Sequence, residues 1–534
     1  MHSRMRPSPL VRFVLVLAFV GGVIALTLCL TKLPPAVAEG APATEFSSVR
    51  ALKHLSVIAQ RPHPVGSAEH QVVRDYLVRE LSRLNGPPEI QTAARDNQPP
   101  LQNILLRLKG SNSRGKALML TAHYDSVASG PGASDDGSGV VTLLETLRAL
   151  KAGAPLKNDV IFLFTDGEEL PVLGARAFID KNPSAKDVGL VLNFEARGTS
   201  GPVFMFETSK SNGTLIKELS HAAPRPFTNS LMGDLYKLLP NTTDLTVFKA
   251  AGLPGLNFAY IDSAWNYHKA GDNLSNIDER SIQHQGSYAL ALTRRFGDRD
   301  LQNIEAPDVI YFDVLGRKVF SYPQTWNLPL TVILVLFAAG VSILGLRAGR
   351  ARFSRVIFGM LLFAGSTVCA VIVAMLLSKV LPRAGPSGVY YLWILLLLIT
   401  SMVLLIYAFA ARRIRLSELS MGALLVLVLL AVAVNLLLPG GSFLLTWPLI
   451  FSLISLGVSL VLPERLHYLH LVIVAVCSIP GIVLFTQMID NVFQGFSLSA
   501  PHVLVIIEML LLGLLTPFLT GWRRLDGGTT FVAD

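Results

Sequence analysis

Several short runs carry residues whose types and spacing suit shared chemistry. In His123-Tyr124-Asp125 an acid follows two residues after an imidazole, and a metal-binding imidazole needs its second nitrogen held by a carboxylate or carbonyl. Alone, a His at a strand end is more often an ordinary hydrogen-bonded residue. Gly132-Ala133-Ser134-Asp135-Asp136-Gly137-Ser138-Gly139 places two acids at a helix start. Capping of free amides accounts for one Asp. The adjacent second acid fits better with one carboxylate bridging two cations while its neighbour shapes the turn. Asp166-Gly167-Glu168-Glu169 sets three acids within four residues, a repulsion that cations or wide solvent exposure must relieve. With cations the labour divides: one glutamate binds metal and the other takes a proton from water. Glu195 either joins this set or pairs with Arg197, and His268 either joins it or lies at the surface beside Lys269.

The elements that must position these residues are apolar runs of strand length at Asn103–Leu108, Ala117–Thr121, Asp159–Phe164, Leu190–Phe194 and Leu256–Tyr260. Helical patterns lie between them at Ser138–Leu150, Leu173–Lys181 and Leu215–Ala222. This alternation predicts an α/β fold, a mostly parallel twisted sheet flanked by helices. In such sheets ligands bind beyond the carboxyl ends of the strands, and His123, the Glu168-Glu169 pair, Glu195 and His268 each follow a strand at that end. Before the sheet, Ser47–Leu84 reads as two helices broken at Arg61-Pro62-His63-Pro64. After it, Asp308–Tyr322 reads as a strand pair turning at Gly316.

Composition divides the 534 residues unevenly. Ordinary globular sequence runs over 44–305, a juxtamembrane linker over 306–325, and apolar runs dominate 326–520 before a short tail at 521–534. Seven spans are expected near 326–346, 354–380, 388–410, 419–438, 443–462, 467–488 and 500–520, forming an α-helical multispan membrane domain in contact with the lipid bilayer. An eighth apolar stretch, Phe13–Leu30 behind Arg4, Arg6 and Arg12, reads as a signal anchor that places residues 1–43 as tail and span. The net charge of +9 is a topology signal rather than a nucleic-acid footprint. Arg347–Arg355, Arg412–Arg415, Arg465 and Arg523–Arg524 fall in loops on one side, and Arg383 is nearly alone on the other. The globular part is therefore expected on the non-cytoplasmic side. Glu508 and Asn435 stand out as polar groups at hydrocarbon depth, read first as packing contacts and second as part of a transport path. All three cysteines, Cys29, Cys369 and Cys477, lie in apolar runs, so any zinc in the globular part needs His and carboxylate ligands.

Taken together, His-Tyr-Asp-Ser, Gly-Ala-Ser-Asp-Asp-Gly-Ser-Gly, Gly-Glu-Glu, Asn-Phe-Glu-Ala and Tyr-His-Lys-Ala-Gly-Asp-Asn resemble the co-catalytic zinc aminopeptidases of metallopeptidase family 28, the aminopeptidase Y type. The resemblance covers about half the chain. It implies two zinc ions: Asp135 as bridging ligand, His123 and Glu195 on one ion, Glu169 and His268 on the other. It also implies Glu168 as general base, Asp125 as the partner of His123, and a peptide as substrate. Glu195 departs from the aspartate of soluble members and matches the membrane-bound branch of the endoplasmic-reticulum metallopeptidase and vacuolar membrane protease type. Asn241-Thr242-Thr243-Asp244 through Ile261 and the globular-then-multispan layout resemble that branch too. Pro171 stands where a Gly is common.

The reading this supports is a membrane-anchored zinc aminopeptidase. Its rivals are a single-zinc glutaminyl-cyclase-like enzyme and an inactive receptor or scaffold with a transport-related membrane half. Asn212, Asn241 and Asn273 begin glycosylation sequons, and a glycan on Asn273 would obstruct a site containing His268. This favours a bacterial inner membrane with a periplasmic domain over a eukaryotic lumen or vacuole.

Overall fold

The computed structural model describes residues 9–112, 115–380, 388–463 and 466–523. They fall into two units, one of Lys32–Gln324 and one of Met1–Thr31 with Thr325–Asp534. Arg4, Arg6, Arg383, Arg465, Arg524 and the end of the 521–534 tail lie outside the described residues or their described side chains.

The α/β unit is built around four parallel strands. Its helices are α2 (Ser48–Ile58), α3 (Ala68–Asn85), α4 (Gly137–Lys151), α5 (Leu173–Lys181), α6 (Gly213–Ala222), α7 (Ser230–Tyr236), α8 (Asp244–Ala250) and α9 (Glu279–Gly297), α1 (Pro9–Leu30) belonging to the other unit. Its strands are β1 (Glu89–Arg95), β2 (Gln98–Leu108), β3 (Ala117–His123), β4 (Val160–Thr165), β5 (Val188–Ala196), β6 (Ser200–Thr208), β7 (Phe227–Thr228) and β8 (Gly255–Asp262). They form one sheet in the order β1-β2-β4-β3-β5-β8-β6-β7. The centre, β4-β3-β5-β8, is parallel, while β2 and β6 join it antiparallel. The sheet is thus mixed, parallel at its centre where helices cover both faces, antiparallel where β2 and β6 join, with β7 parallel to β6 at one edge.

Every residue of β3, β4 and β5 is buried, which is why these strands read as continuous apolar runs. Strand β1 is mostly polar and exposed, so no such run marks it, and β6 opens on Ser200-Gly201-Pro202, which reads as a turn. One face packs Leu118, Leu120, Phe162, Leu190, Leu192 and Phe194 against α4 and α9. The other packs Met119, Ile161, Leu163 and Val191 against Phe178 of α5 and Leu245 and Phe248 of α8. Burying each such side chain contributes roughly 1.5–3 kcal/mol as an upper estimate.

The unit extends beyond the expected 44–305. Residues 32–43 are tied down by Ser47 Oγ donating to Val37 O (2.8 Å) and Arg50 donating to Ala41 O (3.0 Å). The expected strand pair is β9 (Val309–Val314) and β10 (Lys318–Pro323), turning at Leu315-Gly316 with φ of 59° and 58°. The pair packs into the core of the unit: Tyr311 is buried, and Thr228 N donates to Asp313 Oδ1 at 3.0 Å.

The helical unit contains α1, α10 (Asn327–Arg347), α11 (Phe353–Leu377), α12 (Gly388–Ala410), α13 (Leu416–Leu437), α14 (Ser442–Val461), α15 (His467–Phe496) and α16 (Pro501–Arg523). Among the described residues, seven helices are long and apolar enough to cross a membrane. Asn435 lies in the last turn of α13 and donates to Asn327 O at 3.4 Å. Glu508 Oε1 accepts from Thr400 Oγ1 at 2.6 Å, joining α16 to α12.

Candidate metal centre

The turn after β3 is braced from both sides. Asp136 caps α4 by accepting from Gly139 N (3.1 Å) and also accepts from His123 N (3.1 Å), locking the strand end to the helix start. Its buried neighbour Asp135 is thereby left to present its carboxylate to His123 and His268. Asp272 anchors the Asp135 backbone, accepting from Ser134 N at 2.6 Å and Asp135 N at 3.0 Å. Asp272 is buried, and its only mark in the sequence is an acid four residues after His268.

The loop after β4 turns at Gly167, with φ of +74°, a conformation that suits glycine. The amides of Gly167, Glu168 and Glu169 all donate to the carboxylate of Asp125, at 2.9, 3.1 and 3.3 Å. Asp125 was expected as the carboxylate partner of His123. Its carboxylate lies 3.5 Å from His123 Nδ1, while its backbone oxygen sits closer, at 2.9 Å. Donation from Nδ1–H to that carbonyl fixes the tautomer that leaves Nε2 with a lone pair. On β5, Glu195 is held by Asn193 Nδ2, which donates to Oε1 at 3.1 Å, and by Gln285 of α9, which donates to its backbone oxygen at 2.9 Å. His268 has φ of +56° and stacks on Tyr267 with ring centroids 3.8 Å apart. A non-glycine residue held there signals a conformation imposed by its surroundings.

These elements bring the five candidate ligands into two groups that share Asp135: His123, Asp135 and Glu195, then Asp135, Glu169 and His268. Within each group the ligand atoms lie within 4.8 Å of one another. Asp135 Oδ1 is 3.3 Å from His123 Nε2, and its Oδ2 is 3.1 Å from His268 Nε2. Glu169 Oε1 is 3.0 Å from His268 Nε2, and Glu195 Oε2 is 3.7 Å from His123 Nε2. Zinc bonds of about 2.0 Å in tetrahedral array give ligand edges of about 3.3 Å, so these spacings fit the ion. Despite their proximity, His268 Nε2 and Glu169 Oε1 are buried atoms without a hydrogen-bond partner among the described residues. Paired orphans of this kind are what a shared cation would satisfy.

The electrostatics agree. Burial first, then repulsion from neighbouring acids, raises Glu168 well above the usual carboxylate range and Glu195 to about 8. Glu169 is raised by burial and by Asp135. Burial opposes charge on His123, yet Asp125, Asp135 and Glu195 more than offset it and hold its pKa well above the ordinary value. His268 is likewise carried to about 9 by Asp135 and Glu169 against the effect of burial. Crowded acids pushed towards their neutral form and imidazoles held towards their charged form both mark a cluster that calls for positive charge, which divalent cations would supply.

The sequence pattern described as peptidase family M28 matches residues 103–293. Over 301 residues the chain is 28% identical to endoplasmic reticulum metallopeptidase 1 of Rattus norvegicus, covering 51% of this chain and 33% of that protein. Over 300 residues it is 32% identical to the vacuolar membrane protease of Candida tropicalis, covering 53% and 33%. The chain thus spans about a third of the length of these relatives. Among solved structures it is similar to Porphyromonas gingivalis glutaminyl cyclase (22% identity, TM-score 0.39, covering 46% of this chain and 97% of that one). It is also similar to an aminopeptidase from Aneurinibacillus sp. strain AM-1 (11%, TM-score 0.41, covering 50% and 98%). Likenesses this slight do not discriminate between the two reactions. The matched residues 103–293 contain both ligand groups and the Glu168 loop, and the chain carries a peptidase family M28 domain.

Proposed function

We propose that this chain is a membrane-bound, two-zinc aminopeptidase that releases amino-terminal residues from peptides. The observation that carries this reading is Asp135, whose two oxygens face two different imidazoles, His123 and His268. In this assignment His123, Asp135 and Glu195 hold one ion and Asp135, Glu169 and His268 the other. Bound zinc would polarise a peptide carbonyl and acidify a water molecule. Glu168 would take the proton of the attacking water and return it to the leaving amine. Asp125 sets the position of Glu168 through the loop amides.

Orientation follows the arginine-rich loops around Arg347–Arg355 and Arg412–Arg415, which place the α/β unit on the opposite, non-cytoplasmic side. The expectation of a bacterial periplasm rests on Asn273 alone, and the two relatives are named for the endoplasmic reticulum and the vacuole.

Glu168→Ala should lower turnover by about 10²–10⁴-fold while zinc content stays at the wild-type value. The assay pairs metal analysis with a panel of free and amino-terminally blocked peptides. Undiminished activity would remove Glu168 from its role. Cleavage of blocked peptides only would replace the exopeptidase reading, and a product lighter than its substrate by ammonia would mark cyclisation of amino-terminal Gln.

A further inference from the structure

A row of buried polar side chains crosses the sheet beside Glu195. Asn193 on β5 is in register with Asn257 on β8, and Asn257 is in register with Glu207 on β6. Three adjacent strands therefore present polar groups side by side on the face that elsewhere packs Val191, Leu245 and Phe248. Asn193 and Asn257 are fully buried, and Glu207 is 4% exposed. In an apolar layer such groups cost free energy unless they satisfy one another.

They do so as a directional chain. Lys249 of α8 pairs with Glu207 Oε1. Asn257 Nδ2 donates to Glu207 Oε2 at 3.0 Å and to Thr243 Oγ1 at 2.9 Å, which turns its Oδ1 towards β5. Asn193 Nδ2 donates to that Oδ1 at 2.9 Å and to Glu195 Oε1 at 3.1 Å. Reversing either amide would set oxygen against oxygen, so the charge pair at one end fixes the amide orientation at the other. Glu195 Oε1 is thereby occupied, and Oε2 is the oxygen presented towards His123 Nε2.

We infer that Lys249, Glu207, Asn257 and Asn193 form a positioning relay that holds Glu195 as a one-oxygen ligand and so sets the affinity of one of the two metal positions. Glutamate has one more rotatable bond than aspartate, and the relay removes that freedom at a ligand position. None of the four residues belongs to the ligand groups, so their effect passes through Glu195. Partners that orient metal ligands in this way typically contribute about 10–100-fold to affinity. The His268 position shares only Asp135 with the other, and among the described residues no hydrogen bond joins Glu169 or His268 to the relay, so the effect should fall on the Glu195 position. The inference rests on the two-cation reading of the site.

The test is calorimetric titration of the metal-stripped full chain in detergent with Zn²⁺ alone. Wild type should take up two ions. Lys249→Met, and Asn257→Ser, which breaks the chain in its middle without changing charge, should each weaken one binding event by about 10–100-fold and leave the other unchanged. Lys249→Arg should restore it. Glu207→Gln with Lys249→Met should also restore it, because it removes both charges and keeps an acceptor for Asn257. Wild-type affinity at both positions in Lys249→Met and Asn257→Ser overturns the relay alone. Equal weakening of both events also overturns it, since that marks a general structural effect. Uptake of fewer than two ions by wild type overturns the two-cation reading and the relay's selective role with it.

Discussion

Single residues in the α/β unit do two jobs at once, and their burial makes the second job costly to lose. Asp136 caps a helix and braces a strand end, and Asp125 collects three loop amides while its carbonyl orients an imidazole. His284 shows the same economy away from the site. Its Nδ1 accepts from Val203 N at 3.0 Å and its Nε2 lies 3.1 Å from Arg225 O, an arrangement that requires the neutral ring. Burial lowers its pKa to about 4, against about 6.5 when unfolded. The unfolded chain therefore binds this proton first as pH falls, so the His284 contribution is complete above about pH 6.5 and lost towards pH 4. The loss should reach about 3 kcal/mol. The denaturant midpoint of the α/β unit, followed from pH 7 to pH 4, should fall accordingly, and the His284→Gln chain should show a flatter dependence. An identical slope in the two would place the pH sensitivity elsewhere.

At the level of elements, close approach decides what the small residues are for. Helices α11 and α13 cross where Gly359 meets Gly422: a Cβ on Gly422 would sit 2.5 Å from Met360 N and 2.6 Å from Gly359 C, and one on Gly359 would sit 2.7 Å from Glu418 O. Backbone cannot yield as a flexible side chain can. In a lipid environment packing of this kind, not exclusion of water, holds helices together. Gly422→Val should separate the pair and destabilise the helical unit by roughly 1–3 kcal/mol, seen as a lower thermal midpoint in detergent. Gly340→Val, where a Cβ meets nothing within 4 Å, should leave the midpoint near wild type. Nearby, Glu418 joins the loops on this side by accepting from Arg352 N at 3.0 Å and Arg415 N at 2.8 Å.

For the whole molecule, the question is which side of a membrane holds the α/β unit. The described spans follow the expected ones closely, from Asn327–Arg347 to Pro501–Arg523. The proposed topology puts the Arg347–Arg355 and Arg412–Arg415 loops in the cytoplasm and residues before Gln324 outside it. A reporter enzyme active only outside the cytoplasm should be active when fused after Gln324 and inactive when fused after Arg413. A fluorescent protein that folds only in the cytoplasm should show the reverse. The opposite pattern would invert the topology and remove the non-cytoplasmic assignment of the site.

Apolar runs made the central strands and the long apolar helices legible in the sequence, because each is a local pattern of burial, while the five candidate ligands came from acid and imidazole runs read together with a family resemblance. Strand β1 was not legible, being polar and exposed, nor was β6, which opens on turn-like residues. The residues that orient the site were hidden for another reason. Asp272 reaches Ser134 and Asp135 across more than a hundred residues, Gln285 reaches Glu195 from α9, and Asn257 and Glu207 meet Asn193 only through strand order. Residue types and their place after successive strands are enough to name the candidate cation-binding side chains and the end of the sheet where they fall. That each oxygen of Asp135 faces a different imidazole, that Asp125 serves the Glu168 loop as well as His123, and that Glu195 turns Oε2 towards His123 follow from the folded chain, since orientation at a buried site is set by partners distant in sequence.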